Sequence, residues 1–436
     1  MYWTRSRAAG TLALLGRCRP SPVPTEMQIE HPAGTAAAAP PEHPLPAAAP
    51  AGLPARLGPI LCLDDFEQAA RRHLPRPIFA YVSGAVERNH SLRANEASFA
   101  QYEFITRVLV DISRRTTAAT LLGRRYSAPF GIAPMGISAL SAYRGDLVQA
   151  QAAAREKVPM IMSGSSLIRL EEVVQANPEA WFQAYLPGRE ADITALIQRV
   201  QRAGFRTLVI TVDTPVASNR ENNVRAGFST PLRPSLRLAW DGISHPRWLF
   251  GTFLKTIARH GIPHFENNYA HRGAPIVSPN VERDMASRGH LHWEHLRMIR
   301  AMWPGQLVVK GILDARDARI AADLGAQGVI VSNHGGRQLD GAVAPLRVLP
   351  QVVAACPDIP VMIDSGFRRG SDVLKALALG AKFVFIGRPF NYAASVAGEA
   401  GVRRAIELLR EEVSRNMAML GVNTLAELDA SYLVNK

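Results

Sequence analysis

Cysteine is scarce in this 436-residue chain, and the three present, Cys18, Cys62 and Cys356, are widely spaced and odd in number. They offer neither a disulfide framework nor the close pairs of a zinc site, so no metal centre is expected and a reducing compartment is indicated. No apolar run approaches the roughly 18 residues of a membrane span. Basic residues are not gathered into a stripe interleaved with aromatics, which argues against nucleic acid as a partner. Yet Lys and Arg exceed Asp and Glu by 13. That surplus favours anionic partners: phosphates, carboxylates or acidic lipid surfaces.

Acidic residues are also missing from the start of the chain, where none precedes Glu26. Residues 1–58 are rich in Ala and Pro, and Arg5, Arg7, Arg17 and Arg19 flank the apolar stretch Thr11–Leu15. This pattern resembles a transit peptide or a weak signal sequence. The alternative is a disordered, low-complexity extension, or an over-long start with the true initiator at Met27. The second reading is preferred, because the apolar stretch is shorter than the roughly 7–15 residues of a signal core. Ala36–Ala51 cannot bury a core and is expected to be mobile.

What is present is a rhythm. Asp64-Asp65-Phe66-Glu67 opens a helix running to about Leu74, Pro75 and Pro77 interrupt it, and a second helix starts near Ile78. Eight short apolar runs then recur: Phe130–Ala133, Pro159–Met162, Trp181–Ala184, Thr207–Val212, Leu307–Val309, Gly328–Val331, Pro360–Ile363 and Lys382–Ile386. Helix-length segments such as Asp146–Lys157, Ala191–Gly204, Ala315–Leu324 and Gly370–Leu379 separate them. Strand then helix, repeated over roughly 270 residues, predicts a closed (β/α)8 barrel, with an open doubly wound sheet as the competitor. The domain is read as 59–436, broken once at about 214–305, where about ninety residues replace the usual short connection. In that insertion Arg233–Pro263 is strongly basic, and Trp248, Leu249, Phe250, Phe253, Leu254 and Ile257 recur at helical spacing. Either a basic amphipathic helix lies on an anionic membrane, or a helix packs on the barrel with a solvated basic face.

Polar residues cluster directly after the strands, which in a barrel brings them to one face. Ser332-Asn333-His334-Gly335-Gly336-Arg337-Gln338-Leu339-Asp340 follows the sixth run. It sets a titratable base three residues from a fixed cation, with two glycines between to admit a ligand closely. Such a pair suits an anionic substrate that must lose a proton; the plain alternative is a polar turn. Gly366-Phe367-Arg368-Arg369-Gly370 before a helix, with Gly387-Arg388 after the eighth run, reads as a phosphate cradle of backbone N–H groups, helix start and guanidinium groups. Lys310, at the end of a buried strand, needs an anionic partner. Asp213 could orient His334, and Gln183 and Thr211 could hydrogen-bond a planar heterocycle.

The nine residues 332–340 match the signature of the FMN-dependent α-hydroxy acid dehydrogenases and oxidases, and the chain from about Leu61 to Leu433 resembles that family. Supporting matches stand in the same order: Ile132-Ala133-Pro134, Trp181-Phe182-Gln183, Thr211-Val212-Asp213, Val309-Lys310-Gly311, Ile363–Gly370 and Ile386-Gly387-Arg388. The resemblance implies FMN at the mouth of a (β/α)8 barrel. It makes His334 the base, Asp213 its orienting partner, and Arg337 and Arg220 the grip on the substrate carboxylate. Tyr81 adds a hydroxyl to that grip, and Tyr185 faces the substrate oxygen. Lys310 lies beside the flavin's N1/O2 edge. Pro134, Met135, Gly136, Ser163, Gln183, Thr211 and Ser332 hold or face the ring. Asp364, Gly366, Arg368, Gly387 and Arg388 hold ribityl and phosphate.

The implied reaction is oxidation of an L-2-hydroxy acid, lactate- or mandelate-like, to the 2-oxo acid. Small Ser165 and Ala217 are expected to face the substrate and leave room for more than a methyl. Ser83-Gly84-Ala85-Val86 departs from the family's two glycines, which is expected to shift the loop carrying Tyr81. Gly136, where oxidases of the family tend to have Ala, favours a dehydrogenase passing electrons to quinone or a cytochrome. The alternatives are an oxygen-using oxidase producing hydrogen peroxide and an FMN-barrel isomerase. The resemblance further implies a homotetramer; the cysteine usage fits a cytoplasmic enzyme, and the basic amphipathic insertion peripheral contact at the inner membrane.

Overall fold

The computed structural model describes residues 54–229, 235–278 and 288–436. The extension before Pro54 lies outside the described residues. From there the chain is tied down: Ala55–Leu57 forms a turn of 3₁₀ helix and Leu57 is buried. Three helices follow, α1 (Leu63–His73), α2 (Arg76–Ser83) and α3 (His90–Ala97). Asp64 and Asp65 sit in the first turn of α1, where they offset its exposed N–H groups. Pro77 starts α2, because a missing N–H costs nothing in a first turn.

Eight parallel strands form the centre: β1 (Phe130–Ile132), β2 (Ile161–Ser163), β3 (Trp181–Ala184), β4 (Thr207–Thr211), β5 (Gln306–Ile312), β6 (Gly328–Val331), β7 (Val361–Ile363) and β8 (Phe383–Ile386). Their order is β1-β8-β7-β6-β5-β4-β3-β2, and a single parallel bridge, Ile132–Met160, joins the two ends. All eight expected runs are therefore strands of one barrel. The open sheet is excluded, since it leaves two unpaired edges.

Strand residues alternate between the barrel interior and the helices outside. Outward residues such as Phe182, Leu208, Leu307 and Val329 join the large core under the helices. Inward residues form a second, separate apolar cluster of Ile161, Trp181, Val209, Val308, Ile330, Met362, Phe383 and Phe385. Leu121 and Tyr126, from the hairpin Ala119–Leu121 and Arg124–Tyr126, close its lower end. Two residues further along six of those strands stand Ser163, Gln183, Thr211, Lys310, Ser332 and Asp364, all buried. The interior is thus an apolar plug with a polar layer above it, at the carboxyl ends of the strands.

The insertion holds several helices rather than one. Leu236–Ile243 is the first of the basic region, and Pro246–His260 the second, with a π-helical stretch at Leu249–Leu254. Trp248 takes the packed alternative: it is buried and donates from its indole N–H to the Leu140 carbonyl at 2.7 Å. The apolar residues divide between two roles: Leu249 and Phe253 pack on the core, whereas Leu236, Trp240, Ile243, Phe250 and Leu254 are exposed. Among the described residues no helix is long and apolar enough to cross a membrane.

Candidate active site

The strand ends surround one cavity. Its wall carries Pro134, Met135 and Gly136 after β1, Tyr185 after β3, and Lys310 on β5. His334 and Arg337 after β6, Asp364, Gly366 and Arg368 after β7, and Gly387 and Arg388 after β8 complete the ring. Tyr81 reaches it from α2, and Arg220 from the loop after β4. Ser163, Gln183, Thr211 and Ser332 do not line the cavity; they belong to the polar layer beneath. Ser163 Oγ accepts from the Ser165 backbone N–H at 3.2 Å and donates to Gln183 Oε1 at 3.2 Å, and Ser332 Oγ accepts from Lys310 Nζ at 2.9 Å. Thr211 is the strand neighbour of Lys310 and also borders a separate, mostly apolar cavity beside Leu291 and Leu296. Ser165 is on the wall, but Ala217 is exposed and is not.

His334 adopts a left-handed backbone, φ 59°, that turns its ring across the strand end. Its Nδ1 lies 3.0 and 3.2 Å from the two carboxylate oxygens of Asp213, and its Nε2 is 3.3 Å from the Tyr185 hydroxyl. A carboxylate accepts only, so Nδ1 carries the proton and Nε2 is left to accept. Burial lowers the His334 pKa below its ordinary value; Asp213 opposes this, and Lys310 and Arg220 add to it. Burial pushes the Asp213 carboxyl up, but His334 and Lys310 outweigh it and hold the group below the usual carboxylate value.

Lys310 has a carboxylate partner, Asp364, at 3.1 Å. Burial lowers its pKa, yet Asp364 and Asp213 together leave it raised. The cation is therefore kept charged in a buried layer, as pairing requires. Arg337 and Arg388 lie close together: burial, then Arg388, bring the Arg337 pKa down to about 10. Both guanidinium groups reach the backbone carbonyls of Val82 and Gly84 at the end of α2. Tyr81 stays in the site despite the altered Ser83–Val86 sequence, with Arg337 5.1 Å above its ring.

Two expectations need correction. The helix Gly370–Ala378 does not open onto the cavity with free N–H groups. Asp372 accepts from the N–H groups of Arg368 and Arg369, and Glu412 accepts from that of Gly370. Of the residues expected to cradle a phosphate, Gly366–Arg368 and Gly387–Arg388 remain on the cavity wall, and Arg368 already pairs with Glu96 at 2.9 Å. The second glycine of the signature admits no ligand. Gly336 has φ 74°, and a Cβ there would stand 2.6 Å from the backbone nitrogen of Leu92, so it admits α3.

Two signature residues without an assigned role serve the same packing. Asn333 and Asn95 exchange side-chain hydrogen bonds at 2.6 and 2.8 Å, and Asp340 accepts from the N–H groups of Arg88 and Ser91. Their partners lie some 240 residues earlier, a pairing that no local pattern reveals. A second cavity, between the insertion and the loops after β1 and β2, contains Arg144, Arg199 and Arg272. Each of those guanidinium groups is already paired with a glutamate.

A profile of FMN-dependent dehydrogenases matches residues 70–435. The chain belongs to that family. It is 36% identical over 375 residues to the (S)-mandelate dehydrogenase of Pseudomonas putida, covering 86% of this chain and 94% of that protein. It is 37% identical over 382 residues to an L-lactate dehydrogenase of Ectopseudomonas mendocina (strain ymp), covering 86% and 99%. Among solved structures, the monotopic membrane protein (S)-mandelate dehydrogenase superposes with a TM-score of 0.79 at 37% identity, over 87% of this chain and all of that one.

The polar layer suits the family's cofactor. Gln183 Nε2 and Thr211 Oγ1 are buried without a hydrogen-bond partner in the protein. Buried polar atoms are rarely left so, and a planar ring with edge donors and acceptors would give both a partner.

Proposed function

We propose that this dehydrogenase oxidises an L-2-hydroxy acid, lactate- or mandelate-like, to the 2-oxo acid. Electrons pass on to quinone or a cytochrome at a membrane surface. One observation carries the reading: a base backed by a carboxylate and two guanidinium groups share the wall of a single cavity. Arg337 and Arg220 bind the substrate carboxylate, and Tyr81 adds a hydroxyl. Tyr185 faces the substrate oxygen. His334 accepts the substrate's proton at Nε2, and Asp213 stabilises the imidazolium that results.

Pro134, Met135, Gly136 and the polar layer, with Lys310, would hold the ring of FMN; Asp364, Gly366, Arg368, Gly387 and Arg388 would hold its ribityl phosphate. Bound there, FMN supplies an acceptor for the two electrons leaving the substrate α-carbon.

Gly136 supports a dehydrogenase over an oxidase. A Cβ at this position would stand 3.3 Å from both Ser165 Cβ and the Tyr81 hydroxyl, so an alanine here would press on two wall residues that glycine leaves in place. The exposed Leu236, Trp240, Ile243, Phe250 and Leu254 beside Arg247 and Arg259 support peripheral seating on an anionic membrane, with the protein on the cytoplasmic side. The solved mandelate dehydrogenase is itself monotopic. A homotetramer is part of the proposal, and light scattering checks it.

The test is anaerobic. An L-2-hydroxy acid bleaches the bound flavin, and a quinone or dye restores the colour faster than oxygen does. Equal rates with oxygen would replace the dehydrogenase by an oxidase. His334→Ala retains FMN and slows bleaching roughly 10²–10⁴-fold; full turnover in that variant would remove the role given to His334. Sedimentation with anionic vesicles, weakened in Phe250→Ser and Trp240→Ser, tests the membrane contact.

A further inference from the structure

We propose that Gln338 is a positioning residue that aims Arg220 at the substrate carboxylate; the proposal rests on the hydroxy-acid reading above. Arg220 Nη2 donates to Gln338 Oε1 at 2.7 Å, and Gln338 Nε2 donates to the backbone carbonyl of Asp213 at 3.0 Å. A guanidinium only donates and a carbonyl only accepts, so the amide has one orientation that satisfies both ends. Arg220 Nε donates to Ser218 Oγ at 2.9 Å and to the Arg337 carbonyl at 3.3 Å. A planar guanidinium held at Nε and Nη2 has its plane fixed, which is what two-point binding of a carboxylate demands.

The bridge also sets a distance. Asp213 holds His334 through its carboxylate and Gln338 through its carbonyl. The cation that grips one end of the substrate and the base that works at the other are thus referred to the same residue. A tie between the loops after β4 and β6 is the simpler account, and the two differ in what they predict. A loop tie affects folding and every ligand alike. A positioning residue acts only through Arg220.

The experiment uses holoenzyme and three variants: Gln338→Met, which keeps the side chain's length, Arg220→Met, and the double variant. The probe is 2-hydroxy-2-methylpropanoate, which has carboxylate and hydroxyl but no α-hydrogen; its binding is read from the visible flavin spectrum. The expected result for Gln338→Met is binding weakened about tenfold. KM rises with it, kcat changes far less, and flavin content and Tm stay as in the parent. In the Arg220→Met background the second substitution adds nothing to kcat/KM. Should Gln338→Met not fold, Gln338→Ala, which also removes the acceptor for Nη2 and the donor to the Asp213 carbonyl, carries the same expectation. Unchanged affinity, or full additivity with Arg220→Met, overturns the role of Gln338. A parent enzyme that neither bleaches with any L-2-hydroxy acid nor responds to the probe overturns the hydroxy-acid reading as well, so the two failures are distinguishable.

Discussion

Inside the barrel, residues two apart on the same strand belong to different worlds. Trp181, Val209, Val308 and Met362 form a plug whose side chains bring in a single N–H group, the indole of Trp181. Gln183, Thr211, Lys310 and Asp364 carry charge, orphaned hydrogen-bonding groups or both. The lower layer is apolar apart from that N–H and the Tyr126 hydroxyl at its base, whereas the upper is polar throughout and leaves Gln183 Nε2 and Thr211 Oγ1 without partners. An interior that needs no partner is where stability is made; one that leaves groups unsatisfied is shaped around something else.

The largest test of that contrast substitutes in the plug. Trp181→Ala is expected to cost about 3–5 kcal/mol through the cavity it leaves. Whatever fraction remains folded keeps its flavin spectrum, as denaturation and absorbance together will show. Lys310→Met in the upper layer costs a similar amount, about 3–5 kcal/mol, for a different reason: the Asp364 carboxylate is stranded without its counter-charge. Here flavin retention is expected to fall with stability.

Thr211→Val separates the layers cleanly. It removes an orphaned hydroxyl at nearly constant shape, so the apoprotein's unfolding midpoint in urea holds or rises, while FMN affinity drops about tenfold. An apoprotein destabilised as much as by Trp181→Ala would erase the distinction.

The smallest effect concerns pH. His334 must be neutral to accept a proton, and burial holds its pKa below the ordinary 6.5. The acid limb of flavin reduction therefore lies below pH 6.5. Because Asp213 raises the His334 pKa, Asp213→Asn moves that limb to still lower pH and leaves a weaker base. A limb that moves upward contradicts this assignment.

Sequence revealed the barrel because each strand is a compact apolar run followed by turn residues, a signal that stays within a few positions. It revealed most of the wall for the same reason, since chemistry-bearing side chains come at strand ends. It failed where the decisive partner is distant. Glu412 closing the helix start at Gly370, Asn95 answering Asn333, and Leu92 filling the space above Gly336 are contacts across the fold. The insertion was half legible. Its apolar spacing marked helices, but not that Trp248 turns inward while Phe250 stays out.

The carbonyls of Val82 and Gly84 have a consequence for how the protein is made. They are held by Arg337 and by Arg388, the latter 306 residues after Val82. On a ribosome adding roughly 5–20 residues per second, α2 emerges long before its anchors exist. The roof of the cavity is synthesised first and fastened last, so the cavity stays open at the top until nearly the whole chain has been born.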